Sequence, residues 1–297
     1  ELKIRKVELG SRQLQFNLSS NKLNITLPRL YKAAESITLV VSYDGAPRKG
    51  LYWVGADPAY PNTPRQIWSQ GEDEDSRYWF PSYDFPDDKA TTETFINVPK
   101  PFSVVSNGRL LDVQDGGARR TFHWKMDVPH STYLTSIAVG EFETYREQSG
   151  PVSIEYYVPQ GTGREKTYRS FGATPQILRY FEQIIGIPYP YNKYAQVTAA
   201  DFFFGGMENI TATTQNLSTL HDQRAELDTK SDVLVAHELS HQWWGDLVTM
   251  ADWSHVWLNE GFATFFESLY IRKTQSEDEY RRKLSQRSEE HTSELQS

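Results

Sequence analysis

Two histidines in the sequence are one helical turn apart, with a glutamate between them. His237 and His241 are separated by four positions, so a helix places both imidazoles on one face. Both rings can then reach a single zinc ion, and Glu238 can reach a water molecule on that metal. Glu260 follows nineteen residues after His241. Two histidines and one carboxylate are the ligands of a catalytic zinc whose fourth position is open.

The surroundings of this motif favour a buried helix. An apolar run, Val233–Ala236, precedes the motif directly, and polar groups within a buried helix need partners. The alternative is a surface helix with two scattered histidines. We predict a helix from about Ser231 to Trp244, ended by Gly245, and a second helix that carries Glu260. Glu267 lies two turns beyond Glu260, where it either hydrogen-bonds a ligand histidine or is exposed to solvent.

Such a zinc site points to hydrolysis. Three protein ligands lower the pKa of a zinc-bound water, and Glu238 could take its proton and deliver it to a leaving amine. A His-x-x-Gly-x-x-His extension would need glycine and histidine where Trp244 and Leu247 stand. The distant Glu260 instead places the site among the thermolysin-like zincins.

Composition bounds the class of protein. The chain has 297 residues, 38% hydrophobic and 24% charged, as expected of a soluble globular protein with room for two domains. A net charge of −8 argues against nucleic acid as a partner. Without cysteine there is no disulfide, and a zinc ion must use nitrogen and oxygen ligands. No stretch approaches the ~18 apolar residues of a membrane span. The chain starts at Glu1 without methionine, so we expect a missing N-terminus and leave the compartment open.

Composition changes once along the chain. Residues 1–158 read as an N-terminal β domain, a sandwich or a large curved sheet. The candidate strands are short and rich in β-branched or aromatic residues: Lys3–Leu9, Leu23–Leu27, Ile37–Tyr43, Thr94–Val98, Thr121–Met126, Leu134–Val139 and Val152–Val158. A helical spacing of apolar residues begins at Arg164, and Pro175 either kinks this helix or starts a second one capped by Thr174. Two more strands are predicted at Tyr194–Thr198 and Ile210–Thr214.

Two further segments could contribute to a site. Gln70–Arg77 contains four acids and runs into aromatics and prolines, which fits either a solvated loop or a structured one. Gly205 and Gly206 adjoin a predicted strand and would let another backbone approach closely, with Glu208 at the same edge. The alternative there is a β-bulge with a solvent-facing acid.

Together these motifs resemble the M1 family of zinc aminopeptidases, which includes alanyl and glutamyl aminopeptidases and leukotriene A4 hydrolase. That family carries Gly-x-Met-Glu-Asn, then the zinc helix, then the third ligand, in the order seen here at 205–209, 237–241 and 260. The match extends through 243–246, 257–263 and a loop at 70–89. It covers the chain to about Gln286.

The resemblance implies a β-sandwich or saddle domain at 1–158, followed by an incomplete thermolysin-like zincin domain of α+β type at 159–286. It implies one Zn²⁺ held by His237, His241 and Glu260, with Glu238 as the general base. The substrates would be peptides with a free N-terminus. Substrate would be bound by side chains and backbone at Glu72, Gly205, Gly206, Met207 and Glu208. Of these, Glu208 and Glu72 would hold the α-ammonium group, and Gly205 and Gly206 would pair with the peptide backbone.

The sequence departs from the family pattern in two features. The family's downstream tyrosine, which stabilises the tetrahedral intermediate, and its C-terminal helical domain have no counterpart here, so we expect a chain truncated at both ends with reduced or no activity. Residues 287–297 read as a translated sequencing adapter or, alternatively, as a native polar helix end. The alternative functions are an epoxide hydrolase like leukotriene A4 hydrolase, suggested by the doubled glycine, and a non-catalytic scaffold, which predicts damaged zinc ligands.

Overall fold

A computed structural model describes residues 2–228 and 230–294 of the chain. Strands dominate up to residue 140, and a mixed sheet covered by helices follows. The predicted order, a β domain and then an α+β domain, is confirmed. Within the described residues, no helix combines the length and the apolar character needed to cross a membrane.

The N-terminal part consists of short antiparallel strands. They are β1 (Leu2–Leu9), β2 (Arg12–Gln13), β3 (Phe16–Ser19), β4 (Lys22–Ile25), β5 (Leu39–Gly45), β6 (Leu51–Val54), β7 (Gln66–Ser69), β8 (Lys89–Pro99), β9 (Ser103–Ser106), β10 (Arg109–Asp115), β11 (Arg119–Ser131) and β12 (Ile137–Gly140). In the described residues they pair as β2-β1-β5, β3-β4, β10-β11-β8 and β6-β7-β12-β9. Side chains alternate between the two faces of β11. Phe122, Trp124 and Met126 are buried on one face, and the residues between them are less buried.

The second part is built on a mixed sheet. Its strands are β13 (Phe142–Ser149), β14 (Val152–Pro159), β15 (Lys193–Ala199), β16 (Gly206–Met207) and β17 (Ala212–Asn216), in the order β13-β14-β15-β17-β16. The pairs β14–β15 and β15–β17 are parallel, whereas β16 runs antiparallel to β17. β16 therefore lies at an edge of the sheet in the described residues.

This sheet crosses the boundary that composition predicts at residue 158. β13 and β14 precede that boundary, yet β14 pairs in parallel with β15 across the intervening helices. Hydrogen bonding thus assigns residues 142–159 to the second part. The change of composition therefore coincides with the first α-helix. The sheet itself begins earlier, with β13.

Helices cover this sheet and carry the candidate site. They are α1 (Arg164–Phe171), α2 (Thr174–Ile185), α3 (Asp232–Ser240), α4 (Trp257–Thr274) and α5 (Glu277–Glu294). Pro175 starts a second helix, in the first turn where its missing N–H is not needed. Thr174 is the first residue of that helix, not its cap; its hydroxyl donates to the carbonyl of Phe171 at 2.6 Å.

The predicted adapter-derived tail, 287–297, overlaps the end of α5. The helical backbone continues to Glu294, and residues 295–297 lie outside the described residues. The origin of this tail stays a prediction.

The two parts share buried contacts. Trp68 and Tyr133 of the N-terminal part belong to the same apolar core as Phe181 and Trp243 of the second part. Buried amides add directional links: Gln66 donates to the carbonyl of Thr198 at 2.9 Å and accepts from the N–H of Ala200 at 2.8 Å. The acidic loop after β7 is thereby fixed relative to the helices.

Asn107 makes the most extensive of these links. Its amide donates to the carbonyls of Leu134 at 2.9 Å and Ile210 at 2.8 Å, and its carbonyl accepts from the N–H of Ser136 at 2.7 Å. We expect Asn107→Ala to lower the free energy of unfolding by about 2–3 kcal/mol in urea titrations, because buried backbone groups lose their partners. Asn17→Ala, on an exposed position of β3, is the matched control. Equal losses in the two variants would contradict this role.

Candidate metal centre and active site

Helices α3 and α4 bring the three predicted ligands together. The Nε2 atoms of His237 and His241 are 3.2 Å apart. Oxygens of Glu260 lie 3.4 Å from Nε2 of His237 and 3.5 Å from Nε2 of His241. A tetrahedral ion with bonds of about 2.05 Å has ligand atoms about 3.3 Å apart. The two imidazole nitrogens and the two oxygens of the Glu260 carboxylate therefore lie close to the spacing that zinc requires, and the donor set fits this metal.

Hydrogen bonds at the far side of each ring fix its orientation. Nδ1 of His241 donates to the carbonyl of Trp244 at 3.0 Å, so the proton of the neutral ring lies on Nδ1 and Nε2 is free to bind. Nδ1 of His237 lies 3.2 Å from a carboxylate oxygen of Glu267. Glu267 is buried and also pairs with Lys283, 2.6 Å away. Of the two predictions for Glu267, hydrogen bonding to a ligand histidine is the one observed.

Electrostatics at this triangle favour a cation. Burial alone would lower the pKa of His237, but its hydrogen bonds with Glu260 and Glu267 outweigh that effect and raise the pKa to about 10. Burial alone would raise the pKa of Glu267, yet the bonds from His237 and Lys283 keep it below its usual value. Without a metal, a proton compensates the carboxylates; a divalent ion can replace that proton.

Glu238 lies beside the triangle on the buried side of α3. Its side chain packs against Gly206, where an added Cβ would lie 2.7 Å from Cγ of Glu238. Burial raises the pKa of Glu238 to about 8, repulsion from Glu208 and Glu260 adds to the rise, and His237 opposes it. A carboxyl group tuned towards neutral pH is suited to proton transfer.

Strand β16 places the second predicted segment at the same centre. Gly206 and Met207 pair with Gln215 and Thr214 of β17, and their other edge faces the cavity rather than another described strand. Glu208 follows at once and is only 3% exposed. Its Oε1 has no hydrogen-bond partner among the described residues and lies 4.0 Å from Nδ1 of His241. The solvent-facing bulge is thus not the arrangement found.

The acidic loop is structured and reaches the centre from the N-terminal part. Gln70 is buried and its amide donates to Sδ of Met207 at 3.0 Å. Gly71 passes so close to Tyr133 that an added Cβ would overlap the Tyr133 carbonyl. Glu72 then lies with Glu208 and Glu260, each offering an oxygen within 4.8 Å of the others. Burial and repulsion from Glu208 raise the pKa of Glu72 well above its usual value.

Sequence reasoning missed the residues that hold these elements in place. Gln242 donates to the carbonyl of Glu208 at 3.0 Å and accepts from the N–H of Thr211 at 2.9 Å. Asn259 donates to the hydroxyl of Tyr133 at 3.0 Å and so ties α4 to the N-terminal part. Each adjoins a predicted ligand in sequence, which is the one signal that could have identified them.

These groups line one cavity of about 1020 Å³. All the predicted site residues are at its wall: Glu72, Gly205, Gly206, Met207, Glu208, His237, Glu238, His241 and Glu260. Lys49, Trp253 and Lys283 also line it and were not predicted.

Comparison with known proteins assigns the chain to a family. Residues 2–134 match the model of the Peptidase M1 N-terminal domain, and residues 169–297 match that of the Peptidase family M1 domain. The chain belongs to peptidase family M1. Family M1 was the expectation from the motifs, and it is confirmed.

Relatives and solved structures agree with this assignment. Probable aminopeptidase 2 of Sulfurisphaera tokodaii is 30% identical over 93% of this chain and 35% of its own length. Human glutamyl aminopeptidase is 36% identical over 69% of this chain and 22% of its own. The M1 zinc metallopeptidase of Deinococcus radiodurans superposes with a TM-score of 0.74 at 26% identity, covering 93% of this chain and 62% of that one. A variant of the Deinococcus enzyme has been crystallised with a Tyr-Ser-Ala substrate. This M1 chain spans about a third of the length of the curated relatives first matched, 35% and 33%.

The Glu267 hydrogen bond gives a direct test of the metal centre. We expect Glu267→Ala to weaken Zn²⁺ binding about 10–100-fold, measured by competition with a chromophoric chelator, because His237 loses the acceptor that orients its ring. Glu165→Ala is the matched control, since that side chain is 82% exposed and remote from the cavity. Unchanged affinity in Glu267→Ala would contradict the role of this carboxylate.

Proposed function

We propose that this protein is a zinc-dependent aminopeptidase that removes N-terminal residues from peptides. The observation that carries the proposal is the triangle of His237, His241 and Glu260, in which each Nε2 lies 3.2–3.5 Å from the other Nε2 and from one oxygen of Glu260, in a cavity lined by further carboxylates. When bound, Zn²⁺ supplies the Lewis acidity that makes water a nucleophile near neutral pH and polarises a carbonyl. The remaining chemistry is assigned to side chains of this protein.

We assign proton transfer to Glu238. Its carboxylate takes a proton from the attacking water and delivers it to the leaving amine. Its position supports both steps, because the side chain is buried beside the metal triangle and packs against Gly206 in the wall of the same cavity.

We assign the recognition of a free N-terminus to Glu208 and Glu72. Both are at the cavity wall beside Glu260, and Oε1 of Glu208 is buried without a hydrogen-bond partner among the described residues. An α-ammonium group supplies three N–H donors and a positive charge for these acceptors. Since the ammonium is held next to the metal, only the first peptide bond reaches the catalytic groups.

We assign the binding of the peptide backbone to Gly205, Gly206 and Met207. The free edge of β16 offers backbone groups to an extended peptide, which can add to the sheet as a further strand. Of the alternative functions, a non-catalytic scaffold predicts damaged ligands, whereas the intact residues His237, His241, Glu260 and Glu238 support the enzyme. The doubled glycine alone does not favour an epoxide over a peptide.

The proposal is tested by hydrolysis of aminoacyl-arylamides with the zinc-loaded chain. We expect Glu238→Gln to lower kcat by at least about 10²-fold, because the amide cannot accept the proton, while zinc content is unchanged. A substrate with an acetylated N-terminus should not be cleaved, since Glu208 and Glu72 then have no ammonium to bind. Equal cleavage of the free and acetylated substrates, or an unchanged rate in Glu238→Gln, would refute the proposal.

Gly206 provides a second test through geometry alone. We expect Gly206→Ala to lower kcat about 10²-fold, because the new Cβ would overlap Oε1 of Glu238 and the carboxylate must move away from it. Zinc content should be unaltered, as no ligand is touched. Gly261→Ala is the matched control: it adjoins Glu260 on α4, but an added Cβ there has no neighbour within 4 Å. Similar rates in both alanine variants would show that Gly206 does not position the base.

A further inference from the structure

Beside the metal triangle lies a second set of possible ligands made only of oxygen. Glu72, Glu208 and Glu260 each contribute a carboxylate oxygen, and these atoms are all within 4.8 Å of one another. Glu260 belongs to both sets. The other two carboxylates come from the acidic loop and from the end of β16, so two separate parts of the fold converge here.

Glu208 shows that this cluster is more than a group of surface acids. Its side chain is 3% exposed, and its Oε1 accepts no hydrogen bond among the described residues. Nδ1 of His241 lies 4.0 Å away, but that atom donates its hydrogen bond to the carbonyl of Trp244. A buried carboxylate oxygen without a donor is costly unless a cation compensates it.

Charge balance points the same way. Glu72, Glu208, Glu238 and Glu260 bring four carboxyl groups to the wall of the cavity. Ionising all four would leave two negative charges beyond those that one divalent ion at the triangle compensates.

The basic side chains at the cavity wall are already paired. Lys49 lies 3.8 Å from Asp75, and Lys283 lies 2.6 Å from Glu267. Neither lysine is therefore available for the two remaining negative charges.

The donor set selects a class of cation. Carboxylate oxygens without nitrogen or sulfur suit hard cations. The metal triangle combines two imidazole nitrogens with one carboxylate, whereas this second set is made of carboxylates alone. It therefore suits an oxygen-coordinated cation of the Ca²⁺ type better than it suits zinc.

We propose that Glu72, Glu208 and Glu260 bind a second divalent cation of the Ca²⁺ type, with Glu260 bridging it to the metal triangle. One consequence rests on the proposed function: the cation occupies the place of the substrate's α-ammonium group. Ca²⁺ is then a competitive inhibitor of peptide hydrolysis.

Direct binding to the zinc-loaded chain tests the site without any assay of activity. Titration calorimetry with Ca²⁺ should show one ion per chain, and Tb³⁺ added in its place should be sensitised by Trp253 at the cavity wall. We expect Glu72→Gln and Glu208→Gln each to weaken binding at least about tenfold, because the charge of a ligand is lost. Asp73→Asn removes a neighbouring exposed acid outside the cluster and should leave the affinity unchanged. Zinc content and far-UV circular dichroism confirm that each variant is folded.

The outcomes separate this site from the proposed function. Absence of Ca²⁺ binding, or equal affinity in Glu72→Gln, Glu208→Gln and Asp73→Asn, overturns the site whether or not the protein cleaves peptides. If the arylamide assay shows activity, Ca²⁺ should raise KM at constant kcat, and a KM that is unaffected by bound Ca²⁺ overturns the competition. Lack of any hydrolysis refutes the aminopeptidase proposal, and the calcium titration still decides the site.

Discussion

The close approach of two imidazole nitrogens is the constraint on which the rest of the structure depends. Nε2 of His237 and Nε2 of His241 are 3.2 Å apart, and hydrogen bonds on the far side of the rings direct their lone pairs towards each other. Two lone pairs at that distance repel unless a cation lies between them. The one-turn spacing of α3, the carbonyl of Trp244 and the buried Glu267 thus form an arrangement that is stable only when it holds a proton or a metal ion.

The N-terminal part adds its acidic loop to the wall of the cavity that contains the metal triangle. Its acidic loop reaches the centre because buried amides, Gln66 and Asn107 among them, bond across the two parts. From the other side, Gln242, two residues beyond the end of α3, donates to the carbonyl of Glu208. Rigid placement matters because a misplacement of about 1 Å can cost a factor of 10² in rate. Side chains that are not candidate ligands thus fix the relative positions of the carboxylates.

The parts of this site that could be predicted are those with a local pattern. His237 and His241 follow from helical spacing, and β11 follows from alternation. Glu260 was inferred as a third ligand from its residue type and its position nineteen residues after His241. The positions of Glu72 and Glu208 came from a resemblance to a family, because no periodicity relates residues 136 apart. The parallel pairing of β14 with β15 escaped prediction for the same reason, since composition carries no record of which strands meet. Buried polar partners such as Gln242 are similarly invisible, as an amide looks the same in sequence whether it is solvated or bonded.

Burial links Glu238, the metal triangle and the carboxylate cluster into one electrostatic system. Excluding water from Glu238 raises its pKa to about 8. The same exclusion strengthens repulsion among Glu72, Glu208 and Glu260, whose oxygens lie within 4.8 Å of one another. Protonation or a bound cation relieves this repulsion, and burial with the neighbouring carboxylates raises the pKa of Glu72 well above its usual value. The charge of whatever occupies the carboxylate cluster must then shift the proton affinity of Glu238, so the cluster and Glu238 are coupled through the field of the site.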